Sequence, residues 1–321
     1  MLKNKEYYYL STYLVVFVSL LFALLVGSGF YGYGHDFYIA YHKPNLSWGG
    51  IFDRLGYVLS TLSINGLHIG VQVVTFMLSL STGFLIREHI KFKNSYSLIL
   101  FISLYLIAIH TWPIIMSTSN AMKQGLSMSL IFMALVSSSR KNYYWMILFS
   151  FMAVFMHKIG LFLFAIVIFS AVMNNFTANF RHINKVFLNF LVGAILLLAS
   201  NFGLSLIGFS LDDGGSRIIG GDFRWAFVCI SFIYVALSIF YKNILSNSFN
   251  LSLYYFSFIS LSFLISGLNW QYERMGMIML IPYILSFGVI FDRLSYKIYL
   301  LLIFVGLLWV TIFMGMYASL Y

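Results

Sequence analysis

Charge is scarce in this chain of 321 residues. Lys, Arg, Asp and Glu make up 9% of the sequence, whereas about 25% is usual for a soluble domain. There are three prolines, and the single cysteine, Cys229, excludes an intrachain disulfide. Hydrophobic residues reach 61%, and the mean hydropathy is +0.91. No Pro-rich linker or charged tail marks a second domain, so the composition predicts one all-α polytopic integral membrane domain over residues 1–321.

Apolar segments long enough to cross a bilayer recur along the chain. They predict about eleven transmembrane helices, since a hydrocarbon core about 30 Å thick needs roughly 20 helical residues per crossing. The predicted helices are residues 9–27, 66–86, 95–113, 120–138, 143–156, 159–173, 186–209, 225–241, 251–268, 275–291 and 298–317. Residues 48–64 are amphipathic and are predicted to lie in the interface or to form a re-entrant helix.

The apolar run from Tyr143 to Met173 is broken by one dipeptide, His157-Lys158. A lysine at the middle of a single span would cost about 3 kcal/mol or more. Two short helices with the dipeptide at their turn avoid this cost. We therefore predict a helical hairpin that holds both side chains at the membrane face.

Basic residues divide unequally between the two sets of alternating loops. One set carries 12 Lys and Arg with 3 acidic residues, and the other carries 7 with 6. By the positive-inside rule the first set is cytoplasmic, and its residues Lys91, Lys93, Arg140 and Lys141 are interpreted as topology anchors. The net charge of +10 is therefore attributed to membrane orientation and not to a nucleic-acid partner.

The outer loops carry charges of both signs at the helix ends. These residues are Asp36, Lys123, His157, Lys158, Arg217, Arg224, Glu273 and Arg274. Charges of both signs that converge on one membrane face predict a site for a polar, anionic substrate.

Four segments resemble the EpsG family of Wzy-type polysaccharide polymerases. Residues 34–41 (GHDFYIAY) are similar to the family's Gly-x-Asp outer segment, and residues 120–126 (NAMKQGL) to its Arg-Gln segment at a helix start. Residues 155–161 (FMHKIGL) are similar to its Phe-x-His helix break, and residues 272–276 (YERMG) to an arginine before a late helix. Lys123 stands where the family usually has arginine, so it would bind phosphate as a point charge and not as a bidentate fork.

The resemblance implies a glycosyltransferase of the bacterial cytoplasmic (inner) membrane, with its active site facing the periplasm. The substrates would be oligosaccharide repeat units linked through pyrophosphate to undecaprenol. The growing glycan would leave its lipid pyrophosphate and join a sugar hydroxyl of the next unit, giving O-antigen of lipopolysaccharide, capsule or exopolysaccharide. The reactive bond already lies in the sugar phosphate, so no cofactor is implied. A chain-length regulator is the expected protein partner.

This reaction requires cations for the departing pyrophosphate and a base for the acceptor hydroxyl. The candidate cations are Arg217, Arg224 and Arg274, supported by Lys123 and Lys158, with Gln124 beside them in the second segment. His157, Glu273 and Asp36 rank together as the base; imidazole titrates near neutral pH. Tyr38 and Tyr272 belong to aromatic patches suited to stacking on sugars. The structural alternatives are ion pairs for the arginines, a helix cap for His157 and backbone contacts for Asp36.

Other functions stay open at this point. A flippase or transporter of the lipid-linked unit would have paired repeats and charges within the membrane. A membrane O-acyltransferase would need a histidine at mid-membrane or on the cytoplasmic side, and an O-antigen ligase would carry a large late outer loop. Asp212-Asp213 resembles a metal-binding acidic pair only loosely, and the histidines lack ligand spacing, so no metal is predicted.

Overall fold

Helices make up nearly all of the structure, which is a computed structural model that describes residues 2–34, 37, 57–157, 159–206, 223–262 and 270–290. The α-helices of these residues are α1 (Leu2–Gly27), α2 (Ile69–His89), α3 (Ser95–Ile109), α4 (Trp112–Ser119), α5 (Met122–Ser139), α6 (Tyr143–Met156), α7 (Ile159–Phe176), α8 (His182–Leu206), α9 (Phe223–Phe240), α10 (Ser248–Leu261) and α11 (Trp270–Ile290). A 3-10 helix covers Lys242–Leu245, and β1 (Ser63–Ile64) pairs with β2 (Leu67–His68) in an antiparallel hairpin.

Several of these helices are long and apolar enough to cross a membrane. They are Glu6–Gly27, Ile69–His89, Ile159–Phe176 and His182–Ser200, and α3 with α4 makes a fifth if this pair, bent by 54°, is one span. The protein is therefore an all-α membrane protein, as its composition predicts. The number of about eleven crossings is not confirmed. Helices of 14 residues such as α6 and α10 are only about 21 Å long, less than a core of about 30 Å.

Ten of the eleven predicted helices have a counterpart among the described residues, and their bounds differ by up to seven residues. The predicted helix 298–317 lies outside the described residues, and so does the first part of the amphipathic stretch 48–64. Residues 57–61 of that stretch are helical.

The prediction that a helix begins at residue 66 is wrong. Asn65 and Gly66 form the two-residue turn of the β-hairpin, with φ values of 51° and 78°. Asn-Gly favours such turns because both residues tolerate a positive φ. Helix α2 therefore begins only at Ile69.

The predicted helix 95–113 is wrong at its C-terminal end. Helix α3 ends at Ile109, and α4 begins at Trp112 with Pro113 in its first turn. A proline in the first turn loses no helical hydrogen bond, whereas within a continuous helix it would break one. The chain therefore changes direction at His110-Thr111.

The chain divides into two compact units. The first holds the described residues up to Ser137 together with Tyr143–Phe164, and the second holds Ser138–Asn142 and the described part of Ala165–Arg293.

A closed triangle of hydroxyls joins three helices in the first unit. Ser19 on α1, Ser79 on α2 and Tyr105 on α3 lie 2.7 to 3.0 Å from one another. All three side chains are buried, where an unpaired hydroxyl would cost about 2 kcal/mol or more. The triangle therefore satisfies the polar groups of the three helices and holds them in register.

Helix α10 is the centre of the second unit, because every one of its residues except the last is buried. Its Asn250 Oδ1 accepts a hydrogen bond from Ser286 of α11 at 2.8 Å, and the hydroxyl of Tyr234 on α9 lies 2.7 Å from the same Ser286 oxygen. The Tyr283 hydroxyl of α11 donates to the Leu253 carbonyl of α10 at 3.0 Å. These bonds hold α9 and α11 against α10.

Candidate functional site

A tight turn between α4 and α5 places Lys123 in the first turn of α5. The backbone N–H groups of Asn120 and Ala121 both donate to the Met116 carbonyl, at 3.2 and 2.8 Å. A Cβ on Gly125 would overlap the Ser117 carbonyl oxygen of α4, so the two helices approach this closely only with glycine there. Lys123 is half-buried at this helix start.

Gln124 occupies the inside of the same turn. Its side chain is 1% exposed, and its amide nitrogen donates to the Ser117 hydroxyl at 3.3 Å. The residue thus ties α5 to α4. Its predicted contact with substrate stays a prediction.

The first of the four family-like segments lies against the second. The Gly34 N–H donates to the Ser119 carbonyl at the end of α4, at 3.2 Å. A Cβ on Gly34 would overlap the Asn120 side chain, so this contact also requires glycine. The predicted site residues Asp36 and Tyr38 lie outside the described residues.

Between those two positions, Phe37 is buried against His68 and against Tyr33, which belongs with Phe37 and Tyr38 to the outer aromatic patch predicted to stack on sugars. Its ring stacks on Tyr33, with centroids 4.6 Å apart, and meets the His68 ring edge-on at 4.9 Å. The Tyr33 hydroxyl donates to the Gly27 carbonyl at the end of α1, at 2.9 Å. The sequence predicts the aromatic patch, and its stacking on sugars stays a prediction.

His157 turns the chain between α6 and α7. The predicted pair of helices around His157-Lys158 is confirmed, and the Phe151 and Phe164 rings pack together across the pair at 6.1 Å. The Ile159 N–H donates to His157 Nδ1 at 3.2 Å, so the side chain caps the start of α7. Because Nδ1 accepts, the proton of the neutral ring lies on Nε2. Lys158 lies outside the described residues.

Gly160 makes the close approach of α7 to α6 possible. A Cβ there would overlap the Ala153 carbonyl oxygen, which is backbone and cannot rotate away. That carbonyl already accepts the His157 N–H at 3.3 Å and the Ser127 hydroxyl of α5 at 3.2 Å. One carbonyl of α6 therefore joins three parts of the first unit.

The bond from Ser127 to Ala153 brings Lys123 and His157 to the same end of the first unit. Lys123 lies four residues before Ser127, and His157 four residues after Ala153. Because α5 and α6 run in opposite directions, both steps lead the same way, by about 6 Å along the axis. We call the set of Gly34, Asn120–Gly125, His157, Ile159 and Gly160 the Lys123–His157 end. It contains parts of three of the four family-like segments.

In the second unit, Arg224 and Arg274 lie at the same ends of two neighbouring helices. A Cβ on Gly276 of α11 would lie 2.8 Å from the Phe227 ring of α9. Farther along both helices Tyr234 bonds Ser286, so α9 and α11 run in the same direction. Arg224 precedes Phe227 by three residues, and Arg274 precedes Gly276 by two. Both arginines therefore belong to the starts of these helices.

The placement of Tyr272, Glu273 and Arg274 in a loop before the last described helix is wrong. Helix α11 covers Trp270–Ile290, so all three residues are helical. The prediction from hydropathy missed the start of this helix because several of these residues are polar. Hydropathy depends on the side chains and not on the backbone conformation. Arg217 lies outside the described residues.

Arg87 is a buried cation that was counted in the sequence analysis as part of a cytoplasmic loop. Its side chain is 7% exposed, and its guanidinium donates to the Thr12 hydroxyl at 2.5 Å. The guanidinium carbon also lies 4.5 Å from the Tyr8 ring centre and 4.6 Å from that of Phe84. This cation joins the end of α2 to the start of α1.

The described residues contain no group of three or more His, Cys, Asp or Glu side chains that could hold a metal ion. No protein-family model, curated protein or solved structure matches the chain. A function is therefore argued from the chemistry of the residues and from the four family-like segments.

Replacing Gly160 by alanine is expected to destabilise the α6–α7 hairpin by more than about 3 kcal/mol, because the new methyl group overlaps backbone. Gly66→Ala is the matched comparison. It has open space around its Cβ and adds only the strain of a positive φ, about 1–2 kcal/mol. Thermal unfolding of the two purified variants in detergent measures the difference. Equal midpoints would contradict the close approach at Ala153.

Proposed function

We propose that the protein is a polysaccharide polymerase, a glycosyltransferase that joins oligosaccharide repeat units carried on undecaprenyl pyrophosphate. The observation that carries the proposal is the Lys123–His157 end, where three segments far apart in sequence come together. All three resemble segments of one enzyme family, and a shared location is what a common site requires. The bilayer supplies the environment for the lipid carrier.

In the proposed reaction the anomeric carbon of the growing glycan loses its bond to the pyrophosphate oxygen. The same carbon forms a bond to a hydroxyl oxygen of the next lipid-linked unit, and the hydroxyl proton passes to a base. The departing lipid pyrophosphate keeps the bonding electrons and gains negative charge. Fixed cations stabilise such a charge where it develops.

Lys123 is the cation that we assign to the pyrophosphate in the first unit. It is half-buried in the first turn of α5, where the backbone N–H groups of a helix start also favour an anion. A partly buried ammonium attracts a phosphate more strongly than a fully solvated one, because the effective dielectric constant is lower. Lys158 follows His157 directly and is proposed to assist.

His157 is better suited to donate a hydrogen bond than to accept a proton. Its Nδ1 holds the Ile159 N–H, so the neutral ring carries a donor at Nε2. A donor stabilises the departing pyrophosphate, whereas a base needs a vacant lone pair. We therefore propose that His157 serves the leaving group and that Asp36 or Glu273 accepts the proton of the acceptor hydroxyl.

Arg224 and Arg274 are proposed to hold anionic substrate at the starts of α9 and α11. Two parallel helices that begin at the same end direct unpaired backbone N–H groups and positive dipole ends toward the same side. Arginine at such a position adds a bidentate contact to phosphate. Arg217 and the aromatic residues Tyr38 and Tyr272 complete the proposed binding set.

The proposed membrane arrangement has about eleven crossings in the bacterial cytoplasmic membrane, with the starts of α5, α9 and α11 on the periplasmic side. The positive-inside bias of the loops supports this orientation. A chain-length regulator is the proposed protein partner, and the product would be O-antigen, capsule or exopolysaccharide.

A gel of surface polysaccharide from cells with and without the gene tests the function. Loss of polymerase should reduce the ladder to a single repeat unit, and expression of the gene from a plasmid should restore it. Full-length chains that lack an acyl group would instead identify an O-acyltransferase. Loss of the single-repeat band as well would indicate a flippase or a ligase, and either result would overturn the proposal.

A further inference from the structure

The second unit contains a cavity of about 900 Å³ between α8 and α9, at the end opposite to Arg224 and Arg274. Its walls are mostly aromatic and aliphatic. They include Phe187, Phe190, Phe232 and Ala236, with Ser238 and Tyr254 among the few polar residues. Phe187 is 73% exposed and Phe232 63%, so the cavity is a groove open to the surface. Its volume lies in the upper range of small-molecule sites.

Three basic residues lie at the helix ends that border this groove. His182 at the start of α8 bonds the Ile239 carbonyl near the end of α9, with 3.2 Å between ring nitrogen and oxygen. This bond brings Arg181 and Lys185 to the same end as Lys242, which follows α9. In the part of the chain that the structure describes, none of these three cations forms an ion pair. No acidic residue occurs on α8, α9 or α10.

The groove is about two thirds as deep as the hydrocarbon part of one bilayer leaflet. The wall residues on α8 extend from Ile183 to Phe190, which is about 10 Å at 1.5 Å per residue. Half of a hydrocarbon core of about 30 Å is about 15 Å. A groove of this depth accommodates the chain of a lipid in the adjoining leaflet.

We propose that this groove binds an anionic phospholipid, with an acyl chain against Phe187 and Phe232 and the headgroup phosphate at Arg181, Lys185 and Lys242. The apolar depth and the cations at its mouth together fit an amphiphile with a negative head. A zwitterionic lipid would fill the groove equally well but would gain less from the cations. The groove belongs to the second unit, and its binding of lipid does not depend on the polymerase activity.

Native mass spectrometry of the purified full-length protein tests the proposal, with phosphatidylglycerol and phosphatidylcholine of identical acyl chains as probes. Each basic residue near an anionic headgroup contributes about 1 kcal/mol, which is about fivefold in affinity. The triple variant Arg181→Gln, Lys185→Gln, Lys242→Gln should therefore bind phosphatidylglycerol about 100-fold more weakly. The matched control Lys91→Gln, Lys93→Gln should bind it as the wild type does.

A second variant tests the groove itself and keeps its charges. Ala236→Trp fills the cavity and should lower the occupancy of both lipids at least about tenfold, since a blocked apolar site loses its burial energy. Equal binding of the two lipids by the wild type would overturn the proposal, as would full binding by Ala236→Trp or equal loss in the lysine control. A dimer mass that disappears in Ala236→Trp would assign the groove to a second copy of the chain and would also overturn it.

Discussion

Replacing Arg224 or Arg274 by alanine is expected to abolish the polysaccharide ladder and to leave the amount of protein in the membrane unchanged. Both residues lie at the starts of helices that run in the same direction. Removing one donor from a site that stabilises developing negative charge typically lowers kcat by about 100- to 1,000-fold. The measurement is the polysaccharide gel together with an immunoblot of the membrane fraction.

Arg140→Ala is the control for this pair. Arg140 lies in the turn between α5 and α6, where the charge pattern predicts a topology anchor, so the variant should give a full ladder. Arg224→Lys and Arg274→Lys should retain part of the activity, because lysine keeps the charge but loses the bidentate contact. Wild-type ladders from both alanine variants would exclude the arginines as a pyrophosphate clamp.

Two replacements of His157 are expected to separate its role as a helix cap from its role in the reaction. In His157→Ala the Ile159 N–H loses its acceptor, which costs about 0.5–2 kcal/mol of helix stability, and the ring is lost as well. In His157→Asn the side chain forms the same contact to the residue two positions later, as in an Asx-turn. We expect both variants to polymerise about 100-fold more slowly or worse, the usual contribution of a donor that stabilises developing negative charge.

Stability and turnover are measured separately for these two variants. The thermal midpoint of His157→Asn in detergent should equal that of the wild type, and that of His157→Ala should be lower. Elongation of lipid-linked repeat units by protein in liposomes gives the rate, and the apparent KM should change less than kcat. A wild-type rate for His157→Asn would show that the imidazole acts only as a helix cap.

Most of the helices that could be predicted from the sequence follow from short apolar stretches and from the residues that interrupt them. The hairpin around His157-Lys158 follows from the cost of a lysine within a span, and both of its helices begin and end as predicted or nearly so. The turn at Asn65-Gly66 also has a local signal, but the apolar residues that follow it led to a helix prediction that began too early. At α11 the prediction missed five helical residues, 270–274, because several of them are polar.

The candidate site could be predicted only as a set of residues. That Gly34 would contact Asn120 depends on the folding of a loop against the turn between two later helices. That Gln124 would be buried depends on the approach of α4 to α5, which Gly125 permits. Contacts of this kind join residues far apart in sequence, so no periodicity or spacing indicates them.

By itself, the sequence determined the membrane class, the positions of most helices and the residue types available for chemistry, because hydrophobic length and turn preference act over short stretches of chain. Only the tertiary structure decided that α10 is enclosed by its neighbours. The sequence of an apolar helix is similar whether lipid or protein surrounds it. It also decided which helix ends meet. Lys123 and His157 share an end because Ser127 bonds the Ala153 carbonyl and Gly160 lets two backbones touch.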